Sequence, residues 1–249
     1  MHFDEKPYIR LLEEIGPIKV WIVDGGWVRQ HIEKEFTNFC QGHHPSFREK
    51  MPADEFWIEM GANESEIPFF VDHLLVERYC LEQGKSFKAA EEEATKVEQG
   101  ERKRADIKSS LKSALYASTI LSADPESLIK AIEIKLLQEC EPVGLHIYLA
   151  DGRIIRDKID PRFCSGGHSE VYPYVPDHHV WIDNTSLHRE WNYYMLHEVH
   201  EFRDMENGMK YPEAHRIASR IEWHCRWNPF ATLAVMKSLG LEPLRVKKL

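Results

Sequence analysis

Cysteine is scarce, and no two of the five residues stand in a CxxC spacing. Cys40, Cys80, Cys140, Cys164 and Cys225 are odd in number and widely separated. This argues against a disulfide framework or a thiolate zinc knuckle. Long apolar runs are also missing: nothing approaches the roughly 18 uncharged apolar residues that span a bilayer. The opening stretch, MHFDEKPYIRLLEEIG, is charged throughout and has no apolar signal core, so a cytoplasmic location with no membrane partner is expected. Basic residues are in deficit, 32 against 41 acidic, giving a formal net charge of −9. That balance disfavours nucleic acid as a partner, because sequence-independent binding needs a basic face to displace counterions. There is no phosphate-binding loop, dinucleotide fingerprint or serine nucleophile elbow. Thirteen Gly and thirteen Pro are too few for a collagen-like or low-complexity chain. The 249 residues suffice for one large domain or two of about 100–125 residues each.

What the chain does have is an internal repeat. Asp24-Gly25 matches Asp151-Gly152, and Arg29 matches Arg156, at a shift of 127. From Phe39 to Arg102 a shift of 124 runs without a gap. Over that window 16 of 64 positions are identical, among them His44/His168, Trp57/Trp181, His73/His197, Glu77/Glu201, Glu98/Glu222 and Arg102/Arg226. Chance at ordinary composition gives about one in sixteen. A repeat of this length means two similarly folded units. The expected organisation is a degenerate N-terminal repeat over 18–103, a helical connector over 104–143, a C-terminal repeat over 144–227 and a terminal helix within 228–249.

Each repeat reads as strands followed by helices, an α+β unit of a small sheet covered by a helical hairpin. In the second copy, His146–Leu149 predicts a strand that ends at a turn signal, Asp151-Gly152. Val171–Val175 and Val180–Ile182, separated by Pro176-Asp177, predict a hairpin. A long helix is expected over Leu187–Asn207, closed by Gly208, and another from Pro212 to about Arg226. In the connector, Leu111, Ala114, Leu115 and Ala117 recur at helical spacing. Ser122 to Glu126 supplies a cap for a second helix, expected to end at Pro142–Gly144. Trp57 and Trp181 are assigned to the core, as large strand aromatics usually are.

Histidine is abundant: fourteen in all, nine of them after residue 143. The most informative stretch is Tyr193-Tyr194-Met195-Leu196-His197-Glu198-Val199-His200-Glu201-Phe202. Residues i and i+4 share a helix face, so His197 and Glu201 can aim an imidazole nitrogen and a carboxylate at one point. Glu198 flanks that point, and His200 is an alternative donor. A divalent ion needs a third protein ligand, for which His215 and His168 are the two candidates. Either completes a two-His, one-carboxylate set, which suits zinc with an open position and also non-haem iron or manganese. In the first copy Glu198 becomes Leu74, His200 becomes Val76 and His215 becomes Glu91. The second copy is therefore expected to carry the chemistry.

This stretch resembles the zincin-like metalloproteins, whose helix carries HExxH; here the motif is HExxE, with Glu201 in place of the second histidine. The order Asp-Gly, Gly-His, Trp-Ile-Asp, His-Glu-x-His-Glu, Gly and Ala-His also resembles a group of small prokaryotic and phage proteins without an assigned activity. The zincin resemblance covers about 30 residues. It implies a metal-dependent hydrolase, such as a peptidase or amidase acting on a peptide or protein, with Glu198 as general base. The competing expectation is a non-catalytic, pseudo-dimeric protein-binding scaffold. Its His/Glu pairs would be structural, since i,i+4 ion pairs are common on helices.

Overall fold

The structure, a computed structural model, describes residues 7–114 and 125–244. The predicted helical residues Leu115 and Ala117, and the cap from Ser122 to Asp124, lie outside these. Two compact units are present. Unit 1 comprises the described residues of Met1–Val28, Phe36–Leu128 and Arg153–Arg162; unit 2 comprises those of Arg29–Glu35, Ile129–Gly152 and Phe163–Leu249. Each unit thus includes a short segment drawn from the other copy of the repeat.

The first copy runs β1 (Tyr8–Ile15), β2 (Ile18–Val23), α1 (Gly25–His31), β3 (Phe39–Gln41), β4 (Glu55–Glu59), α2 (Ile67–Glu82) and α3 (Phe87–Ala114). After α4 (Pro125–Ile132), the second runs β5 (Glu133–Cys140), β6 (Leu145–Ala150), α5 (Gly152–Lys158), β7 (Gly166–His168), β8 (His179–Asp183), α6 (Trp191–Glu206) and α7 (Tyr211–Trp227). It is followed by α8 (Pro229–Ser238). The sheets have the orders β1-β2-β4-β3 and β5-β6-β8-β7. In both, the first pair is antiparallel, the second parallel and the third antiparallel. Even the register shifts recur, between Tyr8/Arg10 and Leu11/Glu13 in one sheet and Glu133/Lys135 and Leu136/Gln138 in the other. The fold is a tandem duplication of an α+β unit.

Burial follows from this layering. Val180 and Ile182 point to the helical hairpin and pack with Met195, Leu196, Val199 and Phe202 of α6. Trp181, between them, points the other way and meets Phe163 and Tyr174. Both faces of β8 are covered, which removes the polar/apolar alternation of a half-exposed strand. Trp57 and Trp181 are core residues, 2% and 0% exposed. Gly84 and Gly208 close α2 and α6 with positive φ, +80° and +88°, a conformation glycine adopts without steric cost.

Four local expectations are corrected. The connector does not end in a long helix: α4 stops at Ile132 and residues Glu133–Cys140 form β5, which pairs with β6. Residues 171–175 form turns, and the strand antiparallel to β8 is β7. Asp151-Gly152, expected as a turn, opens helix α5 at Gly152, as Asp24-Gly25 opens α1 at Gly25; Asp24 Oδ1 accepts from Trp27 N at 3.1 Å, a helix cap. The long helix starts at Trp191, after a turn in which Glu190 N donates to Leu187 O. Among the described residues, no helix is long and apolar enough to cross a membrane.

Candidate metal centre

The site of unit 2 is built where β7 meets α6. Gly166 and His168 are two apart on β7 and pair with Ile182 and Val180, so both lie on the sheet face that α6 covers. Gly166 leaves the space that Glu198 uses: an added Cβ would stand 3.2 Å from Glu198 Cγ and Oε1. His168, fully buried, reaches Glu201 Oε1 with Nε2 at 2.9 Å. On the other side of that carboxylate, His215 Nδ1 lies 2.8 Å and His197 Nε2 3.6 Å from Glu201 Oε2. His197 Nε2 and His215 Nδ1 are 3.3 Å apart. One carboxylate thus gathers three imidazoles, which come from a strand and from both arms of the helical hairpin.

His197 is fixed from behind. Its Nδ1 meets Glu222 Oε2 at 2.8 Å. Arg226 donates through Nε and Nη2 to Glu222 Oε1, at 2.9 and 2.7 Å. Through Nη1 it donates to Glu190 Oε2 at 2.7 Å, the same oxygen that Arg29 reaches at 3.1 Å through Nε. This buried relay commits Nδ1 of His197 and leaves Nε2 toward Glu201 and His215. A carboxylate behind a histidine is the usual support of a metal-binding imidazole.

The electrostatics follow the contacts. Burial opposes protonation of His197, but hydrogen bonds with Glu201 and Glu222 outweigh it and raise its pKa well above the imidazole range. Hydrogen bonds with Glu201 and then Glu35 raise His215 to about 9. Burial works against ionisation of Glu201, yet the three imidazoles hold its carboxyl far below the usual carboxylate range. Burial likewise opposes ionisation of Glu222, while Arg226 and His197 pull it down to about 2. Glu198 differs: burial dominates and pushes its carboxyl up to about 6 against the pull of His197.

Two overlapping donor groups could hold a divalent ion: His197, Glu201 and His215, and His168, Glu198 and Glu201. In the first, the separations of 3.3, 3.6 and 2.8 Å bracket the roughly 3.3 Å edge of a tetrahedron with zinc–ligand bonds of about 2.0–2.1 Å. The residues present fit a metal ion. His168, His197, Glu198, Glu201 and His215 are all brought together, whereas His200 turns aside to Asp204, with Nδ1 3.2 Å from Oδ2.

The first copy carries the same frame with a different lining. His73 Nδ1 meets Glu98 Oε2 at 2.8 Å, Arg102 links Glu98 to Glu66, and Arg156 donates to Glu66 at 2.7 and 2.8 Å. Strand pairing corrects the repeat assignments over β3, which matches β7 at the shift of 127 and not 124. Gln41, which pairs with Phe56, is the counterpart of His168, which pairs with Val180; His44 is not. Gln41 Nε2 donates to Glu77 Oε1 at 2.8 Å, where His168 meets Glu201. His44 lies in the following loop against Phe47 and Phe87. Phe39 stands in Gly166's place and stacks on Phe70. The first copy therefore keeps His73 and Glu77 but has Gln41, Leu74 and Glu91 where the second has His168, Glu198 and His215.

Sequence reasoning missed Glu222, Arg226 and Glu190 as the support of His197. The signal was present: Glu98/Glu222 and Arg102/Arg226 are identical pairs at i,i+4 spacing, and Glu66/Glu190 recur with them. Glu35, 3.2 Å from His215 Nε2, had no such signal, because its segment belongs to unit 2 only in the folded chain. In comparisons with family models, curated proteins and solved structures, no significant match to the chain was found.

Proposed function

We propose that unit 2 is the centre of a metal-dependent hydrolase that acts on a peptide or amide bond. The observation that carries this reading is the convergence of His197 Nε2, Glu201 Oε2 and His215 Nδ1 at near-tetrahedral spacing. These three residues would hold the ion, with zinc the simplest choice and iron or manganese compatible with the same donors. A bound divalent ion supplies a polarised water of lowered pKa. The chain's own groups do the rest. Glu222 keeps Nε2 of His197 directed at the cluster, and His168 anchors Glu201 through its other oxygen. Glu198, beside His197 on α6 and against Gly166, is the general base that accepts a proton and returns it to the leaving amine. The five cysteines are free thiols, which fits a reducing compartment such as the cytoplasm.

The scaffold reading retains one supporting observation: the relay from Arg156 to His73 is complete in a unit that lacks the third donor, so a relay of this kind has a purely structural use. Metal content separates the two readings. Purified protein reconstituted with zinc, iron or manganese and then dialysed should retain about one equivalent of one of them; retention below about a tenth of an equivalent ends the enzymatic reading. Glu198→Gln should abolish cleavage of quenched peptide substrates and keep the metal. Loss of both would make Glu198 a ligand.

A further inference from the structure

In unit 2 the chain beyond α8 lies against β5 and the start of α6. Leu239 and Leu241 are buried there, in one cluster with Trp191 and Met195. The backbone is clamped by two side-chain amides. Gln138 Nε2 donates to Glu242 O at 3.1 Å and Gln138 Oε1 accepts from Glu242 N at 3.0 Å. Asn192 treats Leu244 in the same way, at 3.1 and 2.8 Å. Cys140 Sγ donates to Leu239 O at 2.9 Å.

The repeat makes the matching place in unit 1 identifiable residue by residue. Strand pairing sets Glu13 and Ile15 opposite Val20 and Ile18 as Gln138 and Cys140 stand opposite Ile147 and Leu145, and Leu12 and Leu137 are the residues skipped at the matching register shifts. The shift of 124 sets Ile67, Pro68 and Val71 in the positions of Trp191, Asn192 and Met195. Those six residues of unit 1 line an open groove of about 600 Å³. Its floor is apolar, from Leu12, Ile15, Ile67 and Val71. Its remaining charged lining is Arg10 against three carboxylates, Glu13, Glu64 and Asp72. Both amide clamps are gone, replaced by Glu13 and Pro68.

We propose that this groove is a docking site for a short extended segment of a partner protein. The segment carries leucine-like side chains for the floor and lysine or arginine for the rim. The apolar requirement comes from the occupied groove of unit 2, where Leu239 and Leu241 fill the corresponding space. The cationic requirement comes from charge: a carboxylate stands where unit 2 has a backbone-clamping glutamine, and acidic groups outnumber the single arginine. Recognition of this kind buries a few anchors and lets the rim set specificity. The inference is independent of the metal-centre reading.

The test uses the full chain, ¹⁵N-labelled, and an acetylated, amidated heptapeptide copying residues 238–244 with Glu242→Lys. Saturable shifts confined to the amides of residues 10–15 and 64–72 are expected. The double variant Glu13→Lys with Glu64→Lys, at two exposed positions, should weaken binding at least about tenfold. No saturable shift, shifts centred on Gln138 and Asn192, or unchanged affinity of the double variant would overturn the proposal. In a parallel arm, a benzoylphenylalanine at Leu12 should photo-crosslink to the peptide. Crosslinking to the protein's own chain or to a second copy without peptide would also overturn it, by identifying a different occupant.

Discussion

Unit 1 and unit 2 bury the same relay of arginine, glutamate, arginine, glutamate and histidine, yet only unit 2 ends it in converging imidazoles. In unit 2, Glu201 receives His168, His197 and His215; in unit 1, Glu77 receives Gln41 and His73. The relay therefore belongs to the fold, and the donor cluster is a feature added to it or lost from it. The differences are concerted. Where α6 has Glu198, β7 has Gly166; where α2 has Leu74, β3 has Phe39, whose ring stacks on Phe70. A Cβ at Gly166 would crowd Glu198 and Trp181 O, so the glycine and the glutamate of unit 2 belong together, as the phenylalanine and the leucine do in unit 1.

The comparison is most exposed to a matched pair of histidine variants. His197→Ala should reduce retained metal below about a tenth of an equivalent, while His73→Ala leaves it unchanged, both measured by elemental analysis after dialysis. Equal losses would break the distinction between the units. Matched glutamate variants come next. Glu98→Gln and Glu222→Gln each remove one partner from a buried charge relay, at a cost of about 3–5 kcal/mol in urea unfolding. Only Glu222→Gln should also weaken metal binding, by about 10–100-fold.

A smaller effect is expected from pH. Burial opposes protonation of His73, but Glu77 and Glu98 prevail and raise it to about 9. Its unfolded value is about 6.5. A raised folded pKa stabilises fully below the unfolded value and is lost as pH climbs through the folded one. Amide-exchange protection of α2 and α3 should thus fall between about pH 6.5 and 9, and His73→Gln should flatten that slope. The smallest effect is expected from Gly166→Ala. The new Cβ would stand 3.1 Å from Trp181 O and 3.2 Å from Glu198, costing about 1 kcal/mol and displacing the Glu198 carboxylate. Thermal unfolding and the activity of the metal-loaded protein read the two parts separately.

The helical hairpin was legible because its apolar residues repeat at helical spacing and Gly84 and Gly208 mark the ends. The edge strands were not. EIKLLQEC, like YIRLLEEI, is rich in Glu and Leu, which favour helix locally, and its exposed face carries no alternating apolar pattern. Pairing with β6 decides its state. Within the site, the i,i+4 spacing of His197 and Glu201 was visible, and so were His168 and His215. The counterpart of His168 was not, because the loop from β3 to β4 is three residues longer than that from β7 to β8. An ungapped comparison therefore lands on His44 instead of Gln41.

The arginine that completes each relay comes from the opposite copy: Arg156 serves Glu66 in unit 1, and Arg29 serves Glu190 in unit 2. A gene cut between the two copies would leave each glutamate with one of its two arginines, Glu66 with Arg102 and Glu190 with Arg226. Each half would then bury a carboxylate with half of its cationic support, a need that two single copies paired with each other would meet.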